Sequence, residues 1–280
     1  MPYRTVLLHL DRGARTKERL EMAFALAASH DAHLVGLFAL SGPRIPSYAL
    51  AEAGPVMVEA EKRQRAEAIQ AGEAVFRAAM ARNPGVKAEW RGTTRDALGA
   101  TLVSARYADI VITGQLPPLR DDDTAMARDF CQELVLAAGR PVLFVPYAGH
   151  FESVGKRVLV AWNASRESAR ALTDALPILQ RADSVQVVAF EPVQGEEQHG
   201  DVPGADISLY LARHGVKVTA AQQRSGGVDV GAQVLSRAAD LDADLIVLGA
   251  YGHSRLREIV LGGVTRTLLE SMTVPTLMSH

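Results

Sequence analysis

The sequence predicts an α/β fold with two tandem five-stranded, mostly parallel sheets, each covered by helices on both faces. Three observations support this prediction. Short apolar runs alternate with amphipathic segments, the runs are almost continuously apolar, and their order repeats once along the chain. Strands of that kind are buried on both faces. In a parallel sheet, the crossover helices cover both faces and provide this burial. The chain is therefore predicted to be one unit of half its length, used twice.

The first half alternates strands and helices in five steps. The β-rich run TVLLHL (Thr5–Leu10) is followed by an amphipathic helix over residues 17–29 and by a second strand, HLVGLFAL, over 33–40. A proline-containing loop is expected over 41–55, ahead of a long charged helix over 58–82. The remaining elements are the strand VKAEWRG, a helix over 96–107, the strand ADIVITG, a helix over 124–138 and the strand RPVLFVPY.

The second half repeats this order with similar sequences. RVLVAWN (157–163) parallels TVLLHLD (5–11), and ADLIVLG (243–249) parallels ADIVITG (108–114). The final TVPTLMSH likewise parallels RPVLFVPY, while the polar segment AGHFESVGK between the halves is typical of a linker. We therefore expect domains at residues 1–148 and 155–280.

Composition excludes several classes of function. With 30 basic and 32 acidic residues the net charge is -2, so the excess of positive charge that general nucleic-acid binding requires is missing. One cysteine, Cys131, supplies neither a disulfide nor the usual thiolate zinc site. No secretory signal or 18-residue apolar span is found, so we expect a cytoplasmic protein that binds no membrane.

A glycine-rich loop in the second half carries the clearest chemical signal. Residues 249–265, GAYGHSRLREIVLGGVT, follow the fourth strand of that half and lead into a predicted helix over 265–271. Glycines leave backbone N–H groups unobstructed, and a helix N-terminus attracts anions. Arg255 and Arg257 could add fork-shaped donors. Ligands of such sheets bind beyond the carboxyl ends of the strands, so the loop predicts a phosphate site there.

The spacing G-x2-G-x9-G of Gly249, Gly252 and Gly262 resembles the nucleotide-binding signature of the universal stress protein family. The resemblance extends over the chain as two copies. It implies an α/β fold of the adenine nucleotide alpha-hydrolase-like group, with ATP bound in some members. It also implies a role in stress tolerance and a dimer formed through the last strand, which the two halves of one chain can form between themselves. A homodimer is left open.

The resemblance places the expected nucleotide site in the second half. ATP or AMP is the expected ligand, and Mg²⁺ would enter only with the nucleotide. No catalytic and no metal-ligating residue is assigned. The residues expected to bind the nucleotide are Ala161, Trp162, Asn163, Ser165, Gly249, Gly252, His253, Arg255, Gly262, Gly263, Val264 and Thr265.

Two departures from the family pattern affect this site. Gly263 follows the third glycine, where ATP-binding members usually have Ser or Thr, and the next hydroxyls are those of Thr265 and Thr267. Asn163 stands where the family has an aspartate, so it can bind a ribose only without charge. Trp162 either stacks on the base or belongs to the core. The alternative to binding is that the glycines only form a tight turn that packs helix on strand.

The first half is predicted to be a degraded copy. Gly114 aligns with the first glycine of the loop, but QLPP follows it, and three aspartates stand at 121–123. Prolines lack the N–H donor and the acids repel phosphate, so no nucleotide site is expected here although Asp11 retains the strand-one acid.

Three functions are compatible with these features. The first is a regulatory stress protein that binds an adenine nucleotide. The second is a weak ATP hydrolase, which lacks GxxxxGK and a paired carboxylate near the glycines and would have only His253 and Glu258. The third is a nucleotide-free interaction protein that uses the segments 41–65 and 193–206. The first is favoured over an enzyme.

Overall fold

The computed structural model describes residues 2–41, 47–117, 126–192, 204–224, 226–252 and 263–280, with the backbone alone described for 47–57. The alternation of strands and helices predicted for the first half is confirmed. Its elements are β1 (Thr5–Leu10), α1 (Thr16–His30), β2 (His33–Phe38), α2 (Ser47–Arg82), β3 (Ala88–Gly92), α3 (Ala97–Ala105), β4 (Ile110–Gly114), α4 (Phe130–Ala137) and β5 (Val142–Val145).

The second half repeats the same alternation in the same order. Its elements are β6 (Arg157–Trp162), α5 (Arg166–Leu179), β7 (Ser184–Phe190), α6 (Ala205–Arg213), β8 (Val218–Gln223), α7 (Val230–Asp240), β9 (Leu245–Gly249), α8 (Gly263–Ser271) and β10 (Thr276–Ser279).

Two predicted boundaries are wrong. Helix α2 already begins at Ser47, within the expected loop, because the segment ALAEA is rich in strong helix formers and Pro55 removes only one backbone donor. Helix α4 begins only at Phe130, not at 124. The residues just before it are tied elsewhere, since the N–H of Ala127 donates to the hydroxyl of Ser41 at 3.1 Å.

All ten strands lie in one sheet, with the order β3-β2-β1-β4-β5-β10-β9-β6-β7-β8. The α/β class is confirmed, but the two five-stranded sets are joined rather than separate. The pairing of β5 with β10, which sets Leu143 opposite Leu277, is antiparallel, and the other pairings are parallel. Each half has the same strand order, so the halves meet through their last strands. The domain limits at 148 and 155 stay a prediction.

Two apolar layers cover the faces of this sheet. Val6 and Leu8 of β1 point into the layer formed by α1, α2, α5 and α6. Leu7 points the other way, into the layer formed by α3, α4, α7 and α8, as alternation along a strand requires. Among the described residues, no helix is long and apolar enough to cross a membrane.

Candidate functional site

A cleft lies at the carboxyl ends of the strands in the second half. β6 and β9 are neighbours there, and strand order reverses between them, because β7 and β8 follow on one side and β10 on the other. Such a switch point is where open α/β sheets bind ligands. The cleft encloses about 260 Å³, and its walls come from the ends of β6, β7 and β9 and from helices α7 and α8.

Most of the residues predicted from the sequence lie together in this cleft. Ser165 lies beside it, at the start of α5. His253, Arg255 and Gly262 lie outside the described residues, as do Arg257, Glu258 and the aspartates at 121–123. The predicted residues that line the cleft are Ala161, Trp162, Asn163, Gly249, Gly252, Gly263, Val264 and Thr265.

The first two glycines of the loop allow a close approach to the first turn of α5. A Cβ atom on Gly249 would stand 2.3 Å from the backbone nitrogen of Ser168, and one on Gly252 would stand 2.8 Å from the Ser165 hydroxyl. Neither contact leaves room for a side chain. Packing of strand on helix therefore accounts for glycine at both positions.

Asn163 and Ser165 shape the turn between β6 and α5. The Asn163 carboxamide oxygen accepts the N–H of Ser165 at 3.2 Å, and Ala164 between them has a φ of +57°. Ser165 then caps α5, since its hydroxyl accepts the N–H of Ser168 at 3.1 Å. The predicted role of Ser165 as a ligand therefore competes with its role as a helix cap.

The far wall of the cleft is the first turn of α8. Thr265 is buried, and its hydroxyl accepts the N–H of Tyr251 at 3.3 Å, which ties the residues after β9 to this helix. Gly263 begins α8, and among the described residues the nearest atom to a Cβ there, the Asp229 Oδ2, is 3.9 Å away. The carboxylate of Asp229 caps α7 by accepting the N–H of Ala232 at 3.0 Å.

Sequence reasoning missed part of the lining. The sequence prediction included the ends of the first and fourth strands of the second half. The end of its second strand, β7, and one side of α7 also face the cleft. The rule that ligands bind at the carboxyl ends of neighbouring strands would have pointed to the end of β7. The missed lining residues are Phe190, Glu191, Val230, Val234, Leu248 and Tyr251.

Trp162 reaches the cleft only at its edge. Its side chain packs against the apolar layer that contains α5. Ala161, the preceding residue, packs against the opposite layer together with Val230 and Tyr251. Since the cleft is walled by α7 and α8, this orientation favours the core role for Trp162 over stacking on a base.

Two ionisable groups near the cleft have shifted pKa values. It raises the pKa of Tyr251 to about 12, so the phenol stays protonated at neutral pH. Burial also acts to raise the pKa of Glu167, but the hydrogen bond from Arg166 and the other contacts of the carboxylate outweigh it and lower that pKa. Glu167 therefore remains an anion in the first turn of α5, where the helix dipole favours negative charge.

In the first half, a side chain of α1 lies buried beside the ends of β1 and β4. Arg19 is 2% exposed and forms an ion pair with Asp11, which follows β1 as Asn163 follows β6. Its Nη1 donates to the Asp11 Oδ2 at 3.0 Å, and its Nη2 donates to the Asp11 Oδ1. A Cβ on Gly114 would stand 3.1 Å from the Arg19 Nη1. In the sequence, Ala171 of the second half corresponds to Arg19.

Charge stabilises the buried pair of Arg19 and Asp11. Burial acts to raise the pKa of Asp11, but the Arg19 guanidinium outweighs burial and holds the pKa below its usual range. His9 is fully buried nearby, with its Nε2 3.0 Å from the Ala39 carbonyl oxygen and its Nδ1 3.2 Å from the Thr113 hydroxyl. Burial lowers the pKa of His9 to about 4, so the ring is neutral.

The residue after Gly114 joins the halves. The Gln115 amide nitrogen donates to the carbonyl of Leu269 at 3.1 Å, and its oxygen accepts the N–H of Tyr147 at 3.1 Å. Thus the segment that corresponds to the glycine loop contributes, at Gln115, to the contact between the halves.

Comparison with known proteins agrees with this architecture. Residues 155–280 match the model of the Universal stress protein family. A universal stress protein from Archaeoglobus fulgidus DSM 4304 superposes with a TM-score of 0.69 at 16% identity, covering 98% of this chain and 95% of its own. A protein from Pseudomonas aeruginosa UCBPP-PA14 assigned to the same family gives 0.58 at 15%, covering 99% and 93%.

A third structure, a universal stress protein in complex with cAMP, gives a TM-score of 0.35 at 17% identity and covers 53% of this chain and 100% of its own. No curated protein matches the chain. The chain has the α/β fold of these solved universal stress proteins. The second half of the chain belongs to the universal stress protein family.

Proposed function

We propose that the second half of the chain binds one adenine nucleotide and that the protein responds to this nucleotide as a regulator of the stress response. The observation that carries the proposal is the cleft between β6 and β9, which opens at the switch point of the sheet. Family membership of residues 155–280 supports the stress-response role and a cytoplasmic location.

The chemistry of the cleft suits a nucleoside. Phe190, Val234 and Leu248 provide apolar walls for a base, and Asn163 and Glu191 provide polar groups at one edge. The volume of about 260 Å³ is close to the lower end of ligand pockets, about 300 Å³, so it matches a nucleoside better than a whole triphosphate.

Phosphates are expected at the start of α8, because backbone N–H groups at a helix N-terminus attract anions. Within the described ranges, no group of three His, Cys, Asp or Glu side chains could hold a metal ion. We propose that Mg²⁺ enters only with the nucleotide.

We propose binding without turnover because the sequence lacks GxxxxGK and a paired carboxylate near the glycines. Phosphoryl transfer normally relies on a lysine or arginine at the phosphates, on Mg²⁺ ligands and on a residue that positions the nucleophile. Sustained release of ADP by the purified protein would favour the hydrolase instead.

Isothermal titration calorimetry of the full chain with ATP and with AMP tests the proposal. We expect saturable binding with one nucleotide per chain. Val230→Trp should weaken it strongly, because Val230 lines the cleft and a larger ring occupies the space of the ligand. Val228→Trp is the matched control, since Val228 lies two residues away and is 52% exposed.

Two results would contradict the proposal. Absence of saturable binding at millimolar nucleotide would refute nucleotide binding altogether. A stoichiometry of two per chain would refute the asymmetry between the halves, since it would require a second site in the first half.

A nucleotide-free scaffold is the second candidate function. The packing of Gly249 and Gly252 against α5 favours it, because packing alone explains these glycines. The calorimetric experiment separates the two candidates. The interaction segments 41–65 and 193–206 lie partly outside the described residues.

A further inference from the structure

Another cavity lies away from the cleft, between α1 and the linker that joins the two halves at residues 148–156. It encloses about 370 Å³, which is within the range of about 300–1,000 Å³ that small-molecule pockets span. It is lined by Leu143 of β5, the strand that pairs with β10, so the cavity lies at the junction of the halves. Pockets for small molecules occur preferentially at such junctions.

The walls of this cavity are apolar. Met22 and Leu26 lie one turn apart on α1 and are 7% and 8% exposed, and Leu143 is fully buried. Phe151 and Val154 form the wall on the linker side and pack against the same apolar layer of the sheet. Apolar walls in contact with water cost free energy, which an apolar ligand would remove.

The linker wall is held in place at both ends. Near its start, the Arg15 guanidinium of α1 donates from Nη2 to the Gly149 carbonyl. Near its end, the Ser153 hydroxyl donates to the Asp244 Oδ2 at 2.6 Å. The N–H of Gly155 donates to the other oxygen of that carboxylate at 3.1 Å. Because both halves fix the linker, the cavity is preformed, which lowers the ordering cost of binding.

The rim of the cavity carries negative charge. Glu21 of α1 and Glu152 of the linker both line it and are exposed. The Lys17 ammonium lies 3.9 Å from the Glu21 carboxylate, but both side chains are more than half exposed, and such a pair contributes little. Phe151 adds an aromatic ring, whose face attracts cations, and His150 adds a hydrogen-bonding group. Two carboxylates and an aromatic ring favour a ligand with positive charge.

We propose that this cavity binds an organic cation, a small molecule with an apolar body and one ammonium group. The body packs against Met22, Leu26 and Phe151, and the ammonium group lies at the carboxylates of Glu21 and Glu152. An ammonium group has three donors and no acceptor, so carboxylates suit it, whereas they repel an anionic ligand. None of the described lining residues of this cavity lines the nucleotide cleft, so the inference does not depend on the proposed function.

Calorimetric titration of the full chain with tryptamine, tryptophol and indole-3-propionate tests the charge preference. The three probes share an indole ring and differ in a tail that is cationic, neutral or anionic at pH 7. We expect tryptamine to bind about tenfold more tightly than tryptophol, and indole-3-propionate to bind more weakly than both. In Glu152→Gln the tryptamine affinity should fall toward that of tryptophol, which itself should not change. Glu270→Gln removes an equal charge from an exposed pair on α8 and should leave all three affinities unchanged.

The variant Ala25→Trp tests the location. Ala25 lines the cavity and is exposed on α1, so a large ring there fills the cavity without entering the core. We expect this variant to lose tryptamine binding. Ala78→Trp, at an exposed position of α2, is the matched control and should keep it. Circular dichroism checks that the variants are folded.

Three results would overturn the inference. The first is binding of indole-3-propionate as tight as that of tryptamine, because charge would then not select the ligand. The second is the absence of saturable binding of all three probes at millimolar concentration. The third is tryptamine binding that survives Ala25→Trp, and its loss in Val230→Trp would then place the probe in the nucleotide cleft. A failure of ATP to bind would refute the proposed function and leave this inference standing.

Discussion

The buried ion pair of the first half makes a quantitative prediction for the variant Asp11→Asn. This change keeps the size of the side chain but leaves the Arg19 guanidinium buried without its counter-charge. Arg19 is 2% exposed and Asp11 is 7% exposed, so water cannot replace the lost partner without rearrangement. The guanidinium would keep its hydrogen bond to the Thr16 hydroxyl, at 3.1 Å, and only weaker bonds to the new carboxamide.

The expected cost is large because the surviving charge is buried. Removal of one partner of a buried ion pair typically costs about 3–5 kcal/mol, whereas replacing both partners by groups of similar volume is often neutral. We therefore expect Asp11→Asn to lower the free energy of unfolding by about 3–5 kcal/mol, and Asp11→Asn with Arg19→Met to recover most of that loss.

Urea unfolding at pH 7, followed by circular dichroism, measures these differences. At this pH the contribution of Asp11 is fully present, because its folded pKa is depressed and the stabilisation is lost only as the pH falls through that value. Glu270→Gln breaks the exposed pair with Arg266 and should cost no more than about 1 kcal/mol. If Asp11→Asn costs as little as this control, or if the double variant is the least stable, charge does not hold Arg19 in place.

Three further predictions follow from the same structure. Between pH 7 and pH 4, His9 should lower the free energy of unfolding by about 3 kcal/mol, because its pKa drops from 6.5 to about 4 on folding and only the unfolded chain then gains a proton. In urea unfolding, the free energy of His9→Gln should depend less on pH than that of the wild type. Parallel pH profiles of the two proteins would count against this. Gly249→Ala should lower the melting temperature far more than Gly99→Ala, because its Cβ would meet the Ser168 nitrogen at 2.3 Å, whereas Gly99 has open space; equal shifts would contradict the packing role. Gly263→Ser should tighten ATP binding, measured by calorimetry, about tenfold, because it adds a hydroxyl donor where a Cβ has room among the described residues. Gly99→Ser, also in the first turn of a helix, should leave the affinity unchanged. An unchanged affinity in Gly263→Ser would argue against a phosphate at α8.

Much of the fold was predictable because strand and helix periodicities are local properties. Runs such as TVLLHL and ADLIVLG became β1 and β9 with small changes at their ends. The start of α2 was not predictable from its proline, since the helix formers around Pro55 outweigh the loss of one donor. The union of both halves in one sheet depends on pairing between β5 and β10, which are far apart in the chain.

The candidate site was predictable in part. The strand order of such a fold places the ends of β6 and β9 side by side, so Asn163 and Gly249 could be expected to lie close together. Glu191 was missed because a lone glutamate after a strand has no distinctive spacing. Its position against Gln233 arises only when α7 packs on the sheet.

By itself, the sequence determined the α/β class, the internal repeat and the difference between the two glycine loops, because periodicity and residue spacing are carried by short stretches of chain. Only the tertiary structure decided that Arg19 of α1 lies buried against Asp11, and that the end of β7 and one side of α7 join the ends of β6 and β9 around one cleft. These contacts join residues of different elements, so no local pattern contains them.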